Sequence, residues 1–91
     1  MSDIILRVEI RFTQAARRHR IGRASARYVM ARAIPAGTRT EQGNRGWRYV
    51  GLDDRGRELE IVAVEVEGDQ GAFLLVIHVM PTRFRGRGSH A

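Results

Sequence analysis

RELEIVAVEVEGDQGAFLLVIHVM, residues 57–80, is the stretch that decides how this chain folds. Two long apolar runs flank Gly68-Asp69-Gln70-Gly71, and a polar pair bracketed by glycines between such runs is a hairpin signal. Setting Val66 against Ala72 brings Val64 opposite Leu74, Val62 opposite Val76 and Glu60 opposite His78. On the reverse side Ala63 then meets Leu75, and Ile61 meets Ile77. A slip of one residue would pair valines with outward residues, so the apolar pattern itself selects this register. Both faces of the strand pair are apolar and both want covering. One must take the helices; the other is left for a partner or a second copy.

Upstream, Trp47 to Leu52 reads as a strand that meets this hairpin across the turn Asp53-Asp54-Arg55-Gly56. Ile4 to Phe12 alternates, with Leu6, Val8, Ile10 and Phe12 on one side and Arg7, Glu9 and Arg11 on the other, the period of an opening strand. Thr13 is placed to cap a short helix running to about Arg20, with Gly22 ending it. A second helix is expected over Arg23 to Ala33, where Ala26, Val29, Met30 and Ala33 recur at helical spacing, and Pro35 forbids its continuation. Residues 36–46 read as a loop or weak edge strand. The expected fold is therefore α+β, two short N-terminal helices packed on an antiparallel sheet of three to four strands. A single domain spans residues 1–82, and residues 83–91 form an Arg- and Gly-rich tail.

The charge is unevenly placed. All sixteen basic residues are arginines, and residues 1–48 hold eleven of them against three acids, whereas residues 49–91 hold five against seven. The arginine fork matches phosphate and stacks on bases, so this basic half suits a nucleic-acid partner, although a GC-rich genome would also supply arginine codons. With 91 residues and 43% hydrophobic content, the chain is expected to form a small core. The absence of cysteine removes disulfides and thiolate metal sites, and no histidine and acid spacing suggests a metal; no metal and no cofactor are expected. The longest apolar run, Ala72 to Val79, is too short to span a bilayer, so no membrane association and a cytoplasmic location are expected.

Among chemistry-bearing residues, His78 interrupts an apolar strand, and Glu60 across from it would orient its ring. A plain cross-strand polar pair would look the same. His19 follows Arg17 and Arg18 at a helix end, where a cation is stabilised by the terminal carbonyls whether or not it has a chemical role. Trp47 and Tyr49 share one strand face and Arg48 takes the other; the two aromatics suit either a base-stacking platform or the core. Arg17, Arg18, Arg20, Arg23 and Arg27 make a basic patch for a phosphate backbone or an acidic protein segment, or a solvated surface.

The order of strand, two short helices and an antiparallel meander resembles the RelE superfamily of small ribonuclease toxins, and within it the BrnT-type branch. Arg18-His19-Arg20-Ile21-Gly22 is similar to that branch's basic-His-Gly-hydrophobic turn. Arg45-Gly46-Trp47-Arg48-Tyr49-Val50-Gly51 followed by Asp53-Asp54-Arg55-Gly56-Arg57-Glu58-Leu59 is similar to its "R-x-W … G-x-D-x-x-G-R-x-L" hairpin. The resemblance covers roughly residues 12–85. It implies a toxin of a toxin–antitoxin pair: a metal-independent endoribonuclease that cuts messenger RNA, on or off the ribosome, and is silenced by a cognate antitoxin in a hetero-oligomer, with a homodimer as the other assembly. Where the family's last strand carries a basic residue, this chain has Met80, so His78, Arg83 or Arg85 would have to act instead. Together with the residue chemistry above, the expected catalytic set is His78, Arg83, Arg48, His19, Tyr49 and Glu60, with Arg17, Arg18, Arg20, Arg23, Arg27, Trp47 and Arg85 on the RNA. The other reading is a non-catalytic RNA-binding or protein-interaction module that keeps the same fold.

Overall fold

The two apolar runs do form a hairpin, but in a different register from the one their pattern suggests. In the computed structural model, which describes residues 9–40 and 42–83, the elements are β1 (Ile10–Phe12), a single 3-10 turn (Ala15–Arg17), α1 (Arg23–Arg32), β2 (Ala36–Arg39), β3 (Arg45–Leu52), β4 (Glu58–Gly68) and β5 (Gly71–Pro81). They build one five-stranded sheet in the order β1-β5-β4-β3-β2. Residues 4–8 of the expected opening strand and residues 84–91 of the expected tail, Arg85 included, lie outside the described residues.

The expected architecture is corrected in two respects. There is one α-helix rather than two, and five strands in a mixed sheet rather than three or four antiparallel ones. The segment after Thr13 has only Ala16 and Ile21 to bury among its arginines, too little to support a helix so short. It makes one 3-10 turn, with Thr13 Oγ1 accepting from the Ala16 N–H at 3.2 Å, and reverses at Arg20, whose φ of 58° is left-handed. Gly22 does not close this turn; it precedes α1 in extended conformation, and its carbonyl accepts the Ala26 N–H. The fifth strand is β2, the weak edge strand of residues 36–39, paired antiparallel with β3. β1 runs parallel to β5, with Ile10 beside Leu74 and Phe12 beside Val76. Alternation marks a strand but says nothing about which neighbour it takes.

The β4–β5 ladder starts with Gly68 opposite Gly71 and Glu67 opposite Ala72, a two-residue turn in which Gly71 takes the left-handed φ of 114°. It runs in step to Ala63 opposite Val76, skips Ile77, and resumes with Val62 opposite His78 and Glu60 opposite Met80. Ile77 is thus the extra residue of a β-bulge, which re-aims the strand beyond it. Before the bulge, Leu74 and Val76 face the helix layer; after it, Val79 and Pro81 do. Ala63, Ile61 and Leu59 of β4, with Val76 and Val79 of β5, are almost fully buried beneath Val29, Ala26 and Met30 of α1. The opposite face carries Val62, Val64, Val66, Phe73, Leu75 and Ile77, none covered by a helix among the described residues. Arg11, beside Leu75 in the ladder, sets its guanidinium 4.0 Å from the Phe73 ring centroid.

The β3–β4 turn is fastened to both neighbours. Asp53, only 4% exposed, accepts the Arg55 and Arg57 N–H groups on Oδ1 at 2.9 and 2.8 Å and the Arg57 guanidinium on Oδ2 at 2.8 Å. Ser25 of α1 donates to Asp54 Oδ1 at 2.7 Å, tying the helix start to the turn. Residue 51 lies directly beneath α1, where a Cβ would sit in ordinary contact, 3.5 Å from Ala33 Cβ and 3.6 Å from Val29 Cγ1.

Candidate functional site on the open sheet face

Three polar side chains meet in the middle of the apolar open face. Arg48, Val62 and His78 form one cross-strand row over β3, β4 and β5, and Glu60 stands one row away, flanked by Val50 and Met80. From there it reaches diagonally to both sides, an arrangement open to long side chains on one sheet face. Glu60 Oε2 accepts from Arg48 Nε at 2.5 Å, and Glu60 Oε1 lies 3.2 Å from His78 Nε2. The carboxylate side chain is 10% exposed, whereas Arg48 and His78 are each about a third exposed, at 35% and 36%. A nearly buried acid thus holds two side chains that reach solvent. With Nε2 turned to Glu60, Nδ1 is the imidazole nitrogen left for other chemistry.

The bulge is what brings His78 here. Had the ladder continued in step through Ile77, His78 would have fallen opposite Ile61, facing the helix layer. Glu60 and His78 are neighbours as the pattern suggests, but their expected direct pairing, and the placing of Leu74 and Val76 on the same face as His78, are corrected: the bulge changes which side β5 presents partway along its length.

Beside His78 lies a depression of about 340 Å³. The end of β2 contributes Thr38 and Arg39, the β2–β3 connection contributes Thr40 and Gln42, and the rest of the sheet contributes Val62, Ile77 and His78 itself. Gly46 permits this close approach, because a Cβ there would come within 3.4 Å of Thr38 Cγ2 and 3.1 Å of the Ala63 carbonyl. Arg39 donates to the Gly43 carbonyl at 3.1 Å and remains exposed. Sequence reasoning assigned none of Thr38, Arg39, Thr40 and Gln42; their polar run was visible, but its placement alongside a residue three strands away was not.

The remaining sequence candidates are dispersed. Tyr49 points into the core on the helix side at 7% exposure, and burial raises its phenol above its ordinary value, so it stands apart from His78 and keeps its proton at neutral pH. This corrects its grouping with the catalytic residues. Trp47 is half-buried against the same core, with its rim in a shallow depression beside Arg39 and Arg45. His19 and Arg83 come together in another cleft, of about 380 Å³, at the end of β5, where Arg57, Glu58 and Thr82 also line the wall and Thr82 donates to Glu58 at 2.7 Å. Arg17, Arg18, Arg20 and Arg23 are exposed on the helical layer, and Arg27 lies back over β1, donating to the Ile10 carbonyl at 3.1 Å with its guanidinium 5.8 Å from the Phe12 ring. The helical basic patch and His78 therefore occupy opposite sides of the sheet.

Among the described residues no three His, Asp or Glu side chains group as a metal site, and no helix is long and apolar enough to cross a membrane. Comparison with protein-family models, with curated proteins and with solved structures finds no match. The functional reading therefore rests on the geometry of Arg48, Glu60 and His78.

Proposed function

We propose that this chain is an endoribonuclease toxin, neutralised by a cognate antitoxin, in which His78 is the proton-transfer group. The observation that carries the reading is an imidazole about a third exposed, held through Nε2 by a nearly buried carboxylate and opening beside a depression that Arg39 lines. With Nε2–H donated to Glu60, Nδ1 accepts the proton of an RNA 2′-hydroxyl. The 2′-oxygen then bonds to phosphorus as the bond to the 5′-oxygen breaks, leaving a 2′,3′-cyclic phosphate and a 5′-hydroxyl that takes its proton from solvent. Arg39, on the rim of the same depression, is the cation suited to the charge building on the phosphate oxygens. Glu60 positions the ring, and Arg48 holds the carboxylate in place. The resemblance of the β3–β4 hairpin to the BrnT-type branch supports the same substrate class, and the chain's net charge of +6 suits a polyanion.

The second reading is a non-catalytic RNA-binding or protein-interaction module. It is favoured by Met80, which stands across from Glu60 where the resemblance leads one to expect a basic residue, and by the apolar side chains around the polar cluster. Inducible expression decides between the two. Wild-type protein arrests growth and produces new 5′-hydroxyl transcript ends, while His78→Ala does neither and still binds the antitoxin encoded beside it. A wild-type chain that cuts no RNA leaves the module reading.

A further inference from the structure

We infer that the depression beside His78 is a nucleobase pocket and that Gln42 reads the base it holds, an inference that rests on the ribonuclease reading above. About 340 Å³ lies at the small end of ligand pockets and gives room for one heterocycle. Its lining is divided by chemistry. Val62 and Ile77, both half-buried, provide an aliphatic floor for the face of a ring, and Thr38, Thr40 and Gln42 provide hydroxyl and amide groups along one side. Ile77 reaches this floor because it is the bulge residue, so a single irregularity in β5 supplies both the pocket wall and the catalytic imidazole beside it.

The polar side of the pocket is built on a braced turn. Thr40 N–H donates to the Asn44 carbonyl at 3.0 Å, Gly43 N–H to the Thr40 carbonyl at 2.8 Å, and Asn44 N–H to Thr40 Oγ1 at 3.1 Å. Gly43 takes the left-handed φ of 85° that this turn needs. Thr40 thus receives a bond on its oxygen and keeps its hydroxyl proton to give, and Gln42, with one amide acceptor and two donors, sits inside the braced loop. RNA-cutting proteins read bases splayed out of a single strand, and a glutamine amide matches the N6 and N7 edge of adenine with two parallel bonds. The base expected next to the cut phosphate is a purine, adenine before guanine.

The test uses the full chain and two measurements. In the first, 5′-hydroxyl ends are mapped in transcripts from cells expressing wild-type or Gln42→Ala protein. Wild-type ends are expected to be enriched in adenine at one position flanking the cut, with the preference falling about tenfold in Gln42→Ala. In the second, adenosine 5′-monophosphate is titrated into wild-type and Gln42→Ala protein, and backbone amide resonances are followed; those of Thr38, Thr40 and residue 42 should shift in the wild type, and more weakly in the variant. RNA cleavage with an unaltered base distribution in Gln42→Ala overturns the pocket and leaves the ribonuclease reading standing. If the wild type cuts no RNA, the ribonuclease reading falls and the titration decides the pocket, with absence of those shifts overturning it.

Discussion

Glu60 holds His78 on the diagonal: Oε1 lies 3.2 Å from the imidazole Nε2, although the residue directly across the ladder from Glu60 is Met80. The other carboxylate oxygen is taken by Arg48, so ring and guanidinium are fixed by one nearly buried acid. Glu60→Gln keeps the shape and removes the charge that both neighbours use. It is expected to lower RNA cleavage by about tenfold to a hundredfold, with substrate binding little changed, because the ring loses its orientation and not its contact with RNA. Single-turnover rates and RNA affinity measured on the same samples check this; a variant as fast as wild type would reduce Glu60 to a structural partner of Arg48 and His78.

The bulge at Ile77 predicts a difference between two deletions. Removing Ile77 leaves a ladder in which Val76 still faces Ala63 and His78 still faces Val62, so the protein should fold with a melting temperature within a few degrees of wild type. Removing Val79, which is 1% exposed, shifts Met80 and Pro81 to the wrong faces and empties the core, at a cost of more than about 3 kcal/mol. Thermal melts of the two variants decide the matter. Equal destabilisation would mean that the bulge carries structure of its own.

Asp53 makes stability depend on pH in the acid range. Its burial alone would raise the carboxyl pKa, but the N–H groups of Arg57 and Arg55 and the Arg57 guanidinium outweigh burial and hold it below its ordinary value. A carboxyl lowered in the folded state adds stability that is fully present above the ordinary carboxylate value and is lost as pH falls through the lowered one. Asp53→Asn should therefore melt earlier at neutral pH, by about 2 kcal/mol, and show a flatter acid limb. Urea midpoints at neutral and strongly acid pH give both quantities, and parallel acid limbs in the two proteins would exclude Asp53 as the group responsible.

Gly51 separates fit from crowding. A Cβ there meets Ala33 and Val29 at ordinary contact distance, so Gly51→Ala should be neutral or stabilise by about 0.5 kcal/mol through a stiffer unfolded chain. Gly51→Leu must push α1 off the sheet, with a cost of about 1 to 3 kcal/mol. Chemical denaturation of the pair measures the clearance between helix and sheet.

Elements that depend on local chemistry were legible in the residues themselves. Periodicity marked a helix over Arg23–Ala33, which ends at Arg32, alternation marked the opening strand, apolar runs marked β4 and β5, and Asp53-Asp54-Arg55-Gly56 and Gly68-Asp69-Gln70-Gly71 marked the turns, because glycine conformations and apolar spacing act over a few residues. The sequence also brought His78 and Glu60 together as candidates. Which strand β1 joins, that β2 closes the far edge, and that β5 bulges at Ile77 are settled by packing across the whole sheet. In a run apolar at nearly every position, such as Phe73 to Val79, each register buries comparable side chains, and the choice falls to the tight Gly68–Gly71 turn at one end and the helix packing at the other. The placing of Thr38, Thr40 and Gln42 next to His78 follows from that choice, since residues more than thirty positions apart become neighbours only when the ladder between them is set.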